Sequence, residues 1–336
     1  MTAADLTAPG AERAGSPGAP AAVRRQRLGP RAVRWIRFAA GGAVLAGVIA
    51  VAGAEPFLRG LRSISPEAIL AAAALTALAT VAASWRWRVI ARRLGLRLGW
   101  GEAVAAYYRS QFLNTVLPGG VVGDVHRAVA HGRSVEQLAQ AGRAVAGERA
   151  AGQVVQLTVT LGVLVALGAS AYAPAMGIVL VAMAGATAVA AIATVSRRAR
   201  ATIARELRLV RDALGTPGAV VPVVAASVLV MGAHVTTFVV ACLAVGVTAP
   251  FETVAFAALV AMLASSIPLS AAGWGPREGA AAWAFGVVGL GAAAGIAAAT
   301  AYGILSMIAL LPGAVVVAAS ARRRPSPTAA EPGRVS

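Results

Sequence analysis

The sequence contains no lysine, a single cysteine and few charged residues of any kind. Only 13% of its 336 residues are charged, against about 25% in an average soluble protein. Because so few charges could not cover a soluble surface of this size, the composition excludes an ordinary soluble globular protein. The single Cys242 lies inside an apolar run, so the chain has no disulfide framework.

Apolar residues and arginine are present in excess. The chain is 58% hydrophobic, with a mean hydropathy of +0.75, and its length allows roughly six to eight membrane-spanning segments of about 20 residues each. All 30 basic residues are arginine, and the net charge is +17. These arginines lie between apolar runs, as cytoplasmic loop charges do, and they form no single basic face. We therefore expect membrane lipids as partners and no nucleic acid.

Six apolar runs are long enough to cross a bilayer, at about Phe38–Ala54, Pro66–Ala83, Ala150–Ala169, Ala173–Val195, Ala219–Val245 and Gly291–Ala319. Two shorter runs, 103–117 and 251–267, stop at Pro118 and Pro268. Neither covers a hydrocarbon core of about 30 Å as a helix, so both are predicted to be half-helices. The predicted fold is an all-α integral membrane protein with about six full transmembrane helices and two re-entrant broken-helix hairpins.

Arginine clusters predict the orientation and the domain boundaries. They occur in the amino-terminal tail, the 86–97 loop, the 118–149 region, the 197–211 connector and the carboxyl-terminal tail. Placing all five inside gives a multi-pass protein of the cytoplasmic membrane with both termini cytoplasmic. The first hairpin then enters from the cytoplasm and the second from outside. Trp85, Trp87, Tyr107 and Tyr108 are interpreted as residues of the membrane interface.

The same order of elements occurs twice in this topology. Span, span, hairpin and span occupy residues 38–169 and then 173–319, in opposite orientation. Inverted repeats with broken helices near the midplane are a recurring plan of transporters. The chain thus divides into a disordered basic cytoplasmic tail (1–35), a transmembrane domain (36–320) and a second disordered tail (321–336). The sequence leaves a homo-oligomer open.

The first polar constellation extends from Asn114 to Arg127. A proline and three glycines break the helix there; they are Pro118, Gly119, Gly120 and Gly123. Broken backbone at membrane depth is tolerated only inside protein or beside water. Asp124 and Arg127, three residues apart, would share one helix face. A cytoplasmic loop whose aspartate merely caps a helix remains the alternative.

Glu148 and Arg149 form a neighbouring charged pair that would begin the third span. Ionisable groups at such positions are costly, and they normally face a cavity or a partner. We include both residues in the candidate lipid-binding site. An interfacial ion pair at a helix start remains the alternative.

The second constellation, at residues 265–279, has the same organisation. Pro268, Gly273 and Gly275 interrupt the helix before Arg277 and Glu278. This pair carries the only charges between Glu252 and Arg322, and such isolated charges in an apolar region indicate a functional role. An arginine guanidinium suits a phosphate group because it donates two parallel hydrogen bonds.

The three histidines indicate less about function than the two polar constellations do. His234 lies within an apolar span and is interpreted as an interhelical hydrogen-bonding group. His126 and His131 lack partners at metal-ligand spacing. With no Cys/His cluster, phosphate-cradling loop or nucleophile elbow in the sequence, we predict no metal, no cofactor and no catalytic residue.

The two constellations resemble those of the membrane domain of lysylphosphatidylglycerol synthases, also called the flippase-like or UPF0104 group. The similar stretches are Phe112–Asn114, Leu117–Gly120, Gly123-Asp124 with Arg127, Glu148-Arg149, Ile267-Pro268 and Gly273–Glu278. The resemblance covers about residues 36–320. It implies a lipid-handling membrane protein, because this domain moves an aminoacylated phospholipid between leaflets in bifunctional relatives. The synthase activity of those relatives is expected to be absent here.

The leading hypothesis is a lipid flippase or lipid-binding transporter that is not an enzyme. Arg127 and Arg277 would bind the lipid phosphate in a polar cavity shared by the two hairpins. Asp124, Glu148 and Glu278 would balance them or receive a cationic headgroup. Two alternatives stay open: a membrane-embedded transferase that uses a polyprenyl-phosphate-type lipid, and a non-transporting accessory subunit.

Overall fold

The computed structural model describes residues 49–117, 120–166, 215–266 and 274–322, with isolated positions in 39–47 and 205–211. The helices with defined bounds are α1 (Glu55–Arg62), α2 (Pro66–Arg93), α3 (Trp100–Val116), α4 (Val122–Ser134), α5 (Leu138–Ala166), α6 (Pro217–Ala244), α7 (Phe251–Ser265), α8 (Pro276–Val287), α9 (Ala292–Ala309) and α10 (Leu311–Arg322). These ranges contain no strand. The predicted all-α class is confirmed.

Several helices begin where the sequence provides a start. Pro66 opens α2 behind Ser65, whose hydroxyl accepts a hydrogen bond from the Ala68 amide at 3.2 Å. Pro217 and Pro276 occupy the first positions of α6 and α8. A proline costs nothing at a helix start, because the first amides of a helix have no intrahelical acceptor.

Among the described residues, four stretches are long and apolar enough to cross a membrane. They are Pro66–Arg93, Leu138–Ala166, Pro217–Ala244 and Ala292–Ser320. Large apolar side chains on them point outward: Leu70 is 70% exposed and Val221 is 64% exposed. A bilayer accepts such a surface, whereas water would not. The protein is a multi-pass membrane protein.

Two of these helices extend beyond the spans predicted from hydropathy. α2 continues ten residues past Ala83, and α5 begins at Leu138 rather than near Ala150. Hydropathy ended the first span too early and began the other too late, because charged residues interrupt the apolar runs. Arg86 pairs with Glu148 and Arg149 pairs with Asp124, whereas Arg92 and Arg93 are exposed at the end of α2. Glu148 and Arg149 therefore lie in the interior of α5, and an interfacial pair at a helix start is wrong.

Two of the predicted interfacial aromatic residues are also inside the protein. Trp87 is fully buried and Tyr107 is 7% exposed, and both pack in the core formed by α2, α3 and α5. Their rings contact a buried guanidinium rather than lipid headgroups. The rule that indole and phenol rings mark the interface fails here because a buried cation provides their polar partner.

The short helices form two broken segments in the described part of the chain. α3 and α4 pack against each other and against α2 and α5, whereas α7 and α8 pack against each other, with α7 on α6 and α8 on α9. Between these units, α2 packs extensively against α6. The order of span, short helix, break, short helix and span thus occurs twice. Of the remaining predicted spans, 173–195 lies outside the described residues and 38–54 is described only in part; the two tails lie outside them apart from residues 321–322.

Candidate functional site

The first broken segment is clamped by Asn114 at the end of α3. Its side-chain oxygen accepts a hydrogen bond from the Gly123 amide at 2.7 Å, and its amide group donates to Asp124 Oδ2 at 3.0 Å. Gly123 has no room for a Cβ, which would overlap the backbone of Ser110. Gly120 adopts φ +64°, a left-handed conformation that favours glycine. These contacts place the start of α4 directly beside α3.

Asp124 is the carboxylate at the start of α4, and it accepts hydrogen bonds from four side chains. Ser110 donates at 3.0 Å, Asn114 at 3.0 Å and Arg127 at 3.1 Å, and Arg149 is the fourth donor. The ion pair with Arg127 joins residues three apart on one helix face. Asp124 is only 8% exposed, so its negative charge interacts with these donors rather than with solvent.

Glu148 is the centre of a second set of buried contacts. It has no exposed surface, and it accepts hydrogen bonds at 2.9 Å from Arg86 Nε, Tyr107 Oη and Arg127 Nη2. These donors belong to α2, α3 and α4, while Glu148 itself belongs to α5. One carboxylate therefore connects four helices. A charge can be buried here because its hydrogen-bond donors compensate it.

Arg127 lies between the two carboxylates and two aromatic rings. Its guanidinium carbon is 4.5 Å from the centre of the Trp87 ring and 4.3 Å from that of Tyr107. Arg127 is 1% exposed, so its charge is neutralised within the protein. Arg127, predicted as a phosphate ligand, does not line the large cavity described below.

Arg86 and Arg149 occupy the side of this cluster that faces the cavity. Arg86 pairs with Glu148 and also donates to Ser227 Oγ of α6 at 2.9 Å. Because Gly152 has no side chain, the guanidinium of Arg86 can pack directly against it. The Arg149 side chain is 54% exposed even though it pairs with Asp124. It is the most accessible guanidinium of the cluster.

The second broken segment ends with an ion pair at the start of α8. Glu278 Oε1 accepts from Arg277 Nε at 2.9 Å, and Glu278 Oε2 accepts from the Gly275 amide at 2.7 Å. Gly275 adopts φ +112°, which is strained for any other residue. Glu278 is fully buried and Arg277 is 8% exposed. Glu278 therefore caps the start of α8 with one carboxylate oxygen and binds Arg277 with the other.

Arg277 is positioned by aromatic rings and by a glycine. Its guanidinium carbon lies 5.3 Å from the centre of the Trp274 ring and 5.4 Å from that of Tyr302. A Cβ on Gly303 would overlap the guanidinium. Tyr302 also forms a hydrogen bond of 3.0 Å with His234 Nδ1, which agrees with the predicted interhelical role of that histidine.

One cavity of about 400 Å³ receives side chains from both broken segments. Asn114 and Arg149 line it from the first segment and its supporting helix, and Trp274 and Arg277 line it from the second. Arg86 also lines this cavity. Asp124, Arg127, Glu148 and Glu278 lie behind these groups and do not line it.

Of the predicted hinge residues, Gly120, Gly123 and Gly275 have the conformations or close contacts given above. Pro118, Gly119, Pro268 and Gly273 lie outside the described residues. Sequence reasoning missed Arg86, Tyr107, Ser110 and Tyr302 as members of the site. Within the described ranges, no group of His, Cys, Asp and Glu is arranged to hold a metal ion.

Comparison with known proteins places this sequence in a family. Neither curated proteins nor solved structures give a significant match. The family described as lysylphosphatidylglycerol synthase TM region matches residues 38–313, which is nearly the whole chain and includes both broken segments. The chain therefore belongs to the lysylphosphatidylglycerol synthase transmembrane-region family.

Proposed function

We propose that the protein is a lipid flippase or lipid-binding transporter of the cytoplasmic membrane. The supporting observation is that Arg149 and Arg277, held by two separate broken segments, line one cavity of about 400 Å³. Ligand sites commonly enclose about 300–1,000 Å³, so a lipid headgroup fits this space. Guanidinium groups bind phosphate through paired hydrogen bonds, which makes a lipid phosphate the natural occupant.

The cavity arginines and the groups behind them have different roles in this proposal. Arg149 and Arg277 bind the phosphate, and Asn114 contributes an amide at the same wall. Asp124 and Glu278 orient the two guanidinium groups from behind. These carboxylates position the arginines and do not bind the ligand themselves.

Binding requires Arg149 to exchange part of its contact with Asp124 for the phosphate. This exchange leaves Asp124 with three other donors, namely Ser110, Asn114 and Arg127. Because a buried carboxylate is costly only when it lacks partners, the exchange carries a small penalty. Release of the lipid restores the original pair, as a reversible transport step requires.

A membrane-embedded transferase has less support from the geometry. Such an enzyme needs a general base in contact with its substrate. In the described part of the chain, no carboxylate lines the cavity, and the three nearby carboxylates accept hydrogen bonds from arginine. The cavity-lining histidine, His234, is already hydrogen-bonded through Nδ1 to Tyr302. The proposal therefore assigns binding and movement to this cavity and no chemical step.

Reconstitution into liposomes tests the proposal. Vesicles would contain phosphatidylglycerol with a fluorescent acyl chain, and dithionite added outside would report the fraction of probe that reaches the outer leaflet. We expect Arg277→Ala to lower the rate of movement at least about tenfold. Arg277→Lys should recover little, because an ammonium lacks the two-pronged donor geometry.

Arg133→Ala provides the matched control, since Arg133 is an exposed arginine near the end of α4. It should leave the rate of lipid movement unchanged. Equal rates in wild-type protein, in Arg277→Ala and in protein-free vesicles would refute the proposed transport. Normal transport by Arg277→Ala would refute the role of Arg277.

A further inference from the structure

The charged groups around the cavity do not balance. Two ion-pair clusters next to the cavity contain four guanidinium groups and three carboxylates: Arg86, Arg127, Arg149 and Arg277 with Asp124, Glu148 and Glu278. Four positive and three negative charges leave an excess of one positive charge. In a membrane interior, an excess charge needs water or a counter-ion. A single monoanion would neutralise the site.

The positive charges face the cavity, whereas the negative charges do not. Arg86, Arg149 and Arg277 line the cavity. Glu148 and Glu278 have no exposed surface, and no carboxylate is among the described residues that line the cavity. A ligand that enters therefore meets guanidinium groups first, while an ammonium group on that ligand would meet no carboxylate.

The rest of the polar wall is neutral. It consists mostly of amides and hydroxyl groups, among them Gln111, Thr115, Gln153, Gln156, Ser265 and Ser266, together with His234, whose Nδ1 is hydrogen-bonded to Tyr302. Amides and hydroxyl groups both donate and accept hydrogen bonds, so they pair well with hydroxyl groups of a ligand. They cannot neutralise a second charge.

From this arrangement we infer that the substrate is a lipid with one phosphodiester charge and a neutral headgroup that carries hydroxyl groups. This inference rests on the proposed function and specifies its substrate class. The phosphodiester supplies the missing negative charge next to Arg149 and Arg277, and the hydroxyl groups pair with the amide wall. A cationic aminoacylated headgroup is disfavoured, because its ammonium groups would enter a site that already has excess positive charge. This selectivity is opposite to that expected for an aminoacylated phospholipid.

Competition binding on the purified full-length protein in detergent tests this selectivity separately from transport. Phosphatidylglycerol with a fluorescent acyl chain serves as the bound probe. Unlabelled phosphatidylglycerol, phosphatidylethanolamine and lysylphosphatidylglycerol serve as competitors. We expect phosphatidylglycerol to compete at least about tenfold better than either of the other lipids. Equal or tighter binding of lysylphosphatidylglycerol would overturn the inference and leave the transport proposal intact. Absence of binding by any lipid would refute both.

A soluble headgroup distinguishes a lipid ligand from a free phosphodiester. Glycerophosphoglycerol has the same phosphodiester and hydroxyl groups as phosphatidylglycerol but no acyl chains. It should compete at least about tenfold more weakly than the lipid. Competition equal to that of the lipid would overturn the assignment of a lipid substrate.

A designed carboxylate tests the physical reason for the selectivity. Gln153 lies on α5 one turn after Arg149 and lines the cavity. Gln153→Glu supplies the missing acceptor for an ammonium, so it should shift the binding ratio toward lysylphosphatidylglycerol at least about tenfold. Gln140→Glu introduces the same change on α5 away from the cavity and should leave the ratio unchanged. An unchanged ratio in Gln153→Glu would overturn the electrostatic argument. Gln156→Glu, on the same wall, repeats the test if the first variant does not fold.

Discussion

Replacing Glu148 by glutamine would test whether the buried cluster holds the helices together through charge. Glu148 has no exposed surface and accepts hydrogen bonds at 2.9 Å from Arg86, Tyr107 and Arg127. Glutamine keeps the volume of the side chain but removes its negative charge. Among the described residues, Arg86 then loses the carboxylate with which it pairs, and Arg127 retains Asp124 alone.

The expected loss of stability is large. Removing one partner of a buried ion pair costs about 3–5 kcal/mol, because the remaining charge stays buried without compensation. At about 2 °C per kcal/mol, the low end of the range that suits a long chain, the melting temperature should fall by roughly 6–10 °C. The loss follows mainly from unpaired arginine rather than from altered packing.

The chain carries its own reporter for this measurement. Cys242 is the single cysteine and is 1% exposed, so a thiol-reactive dye would label it only on unfolding. Glu252→Gln is the matched control, since Glu252 is exposed in the first turn of α7. It loses only a helix-dipole interaction, worth about 0.3–1 kcal/mol.

A double substitution separates charge from packing. In Arg86→Gln/Glu148→Gln, the arginine that lost its carboxylate is itself removed. The double variant should therefore be more stable than the sum of the two single losses by about 1–3 kcal/mol. Strictly additive losses would refute the charge argument, as would a melting temperature of Glu148→Gln within about 2 °C of the wild type.

Two further predictions concern packing and topology. Gly123→Ala should destabilise the protein by about 1–3 kcal/mol, because its Cβ would overlap the Ser110 backbone. Gly162→Ala faces open space in α5 and should instead stabilise by about 0.5–1 kcal/mol, and the same dye assay measures both. Reporter fusions after Pro20 and Ala330 should both give a cytoplasmic signal, and a periplasmic signal from either would refute the predicted orientation.

The backbone breaks and one half of the site were predictable from local sequence. Prolines, glycines and isolated charges act within a few residues of each other, so a pattern such as Gly275-Pro276-Arg277-Glu278 predicts a helix start with an ion pair. The Asp124–Arg127 pair follows in the same way from a spacing of three. Features of this kind can be predicted without knowing which helices pack together.

The other half of the site depends on contacts between distant parts of the chain. Arg86 pairs with Glu148, 62 residues away, and reaches Ser227, 141 residues away. No local pattern encodes such a partner. A weaker indication was nevertheless present, because the apolar sequence resumes at Val89-Ile90-Ala91 directly after Arg86 and Arg88. An apolar run that continues beyond an arginine indicates a charge inside a helix rather than a loop.

Buried arginines also affect how loop charges are counted for orientation. Arg86 and Arg127 were counted as cytoplasmic loop charges, yet both are buried and paired with acids. A paired, buried arginine does not report which side of the membrane a loop occupies. Arg149 is likewise paired with an acid, Asp124. The predicted orientation therefore has to rest on the other arginines of the same two segments: Arg88, Arg92, Arg93, Arg97, Arg133 and Arg143. Because these six still outnumber the nearby acids Glu102 and Glu136, both segments are still predicted to be cytoplasmic, and the fusions after Pro20 and Ala330 test the orientation at the two termini.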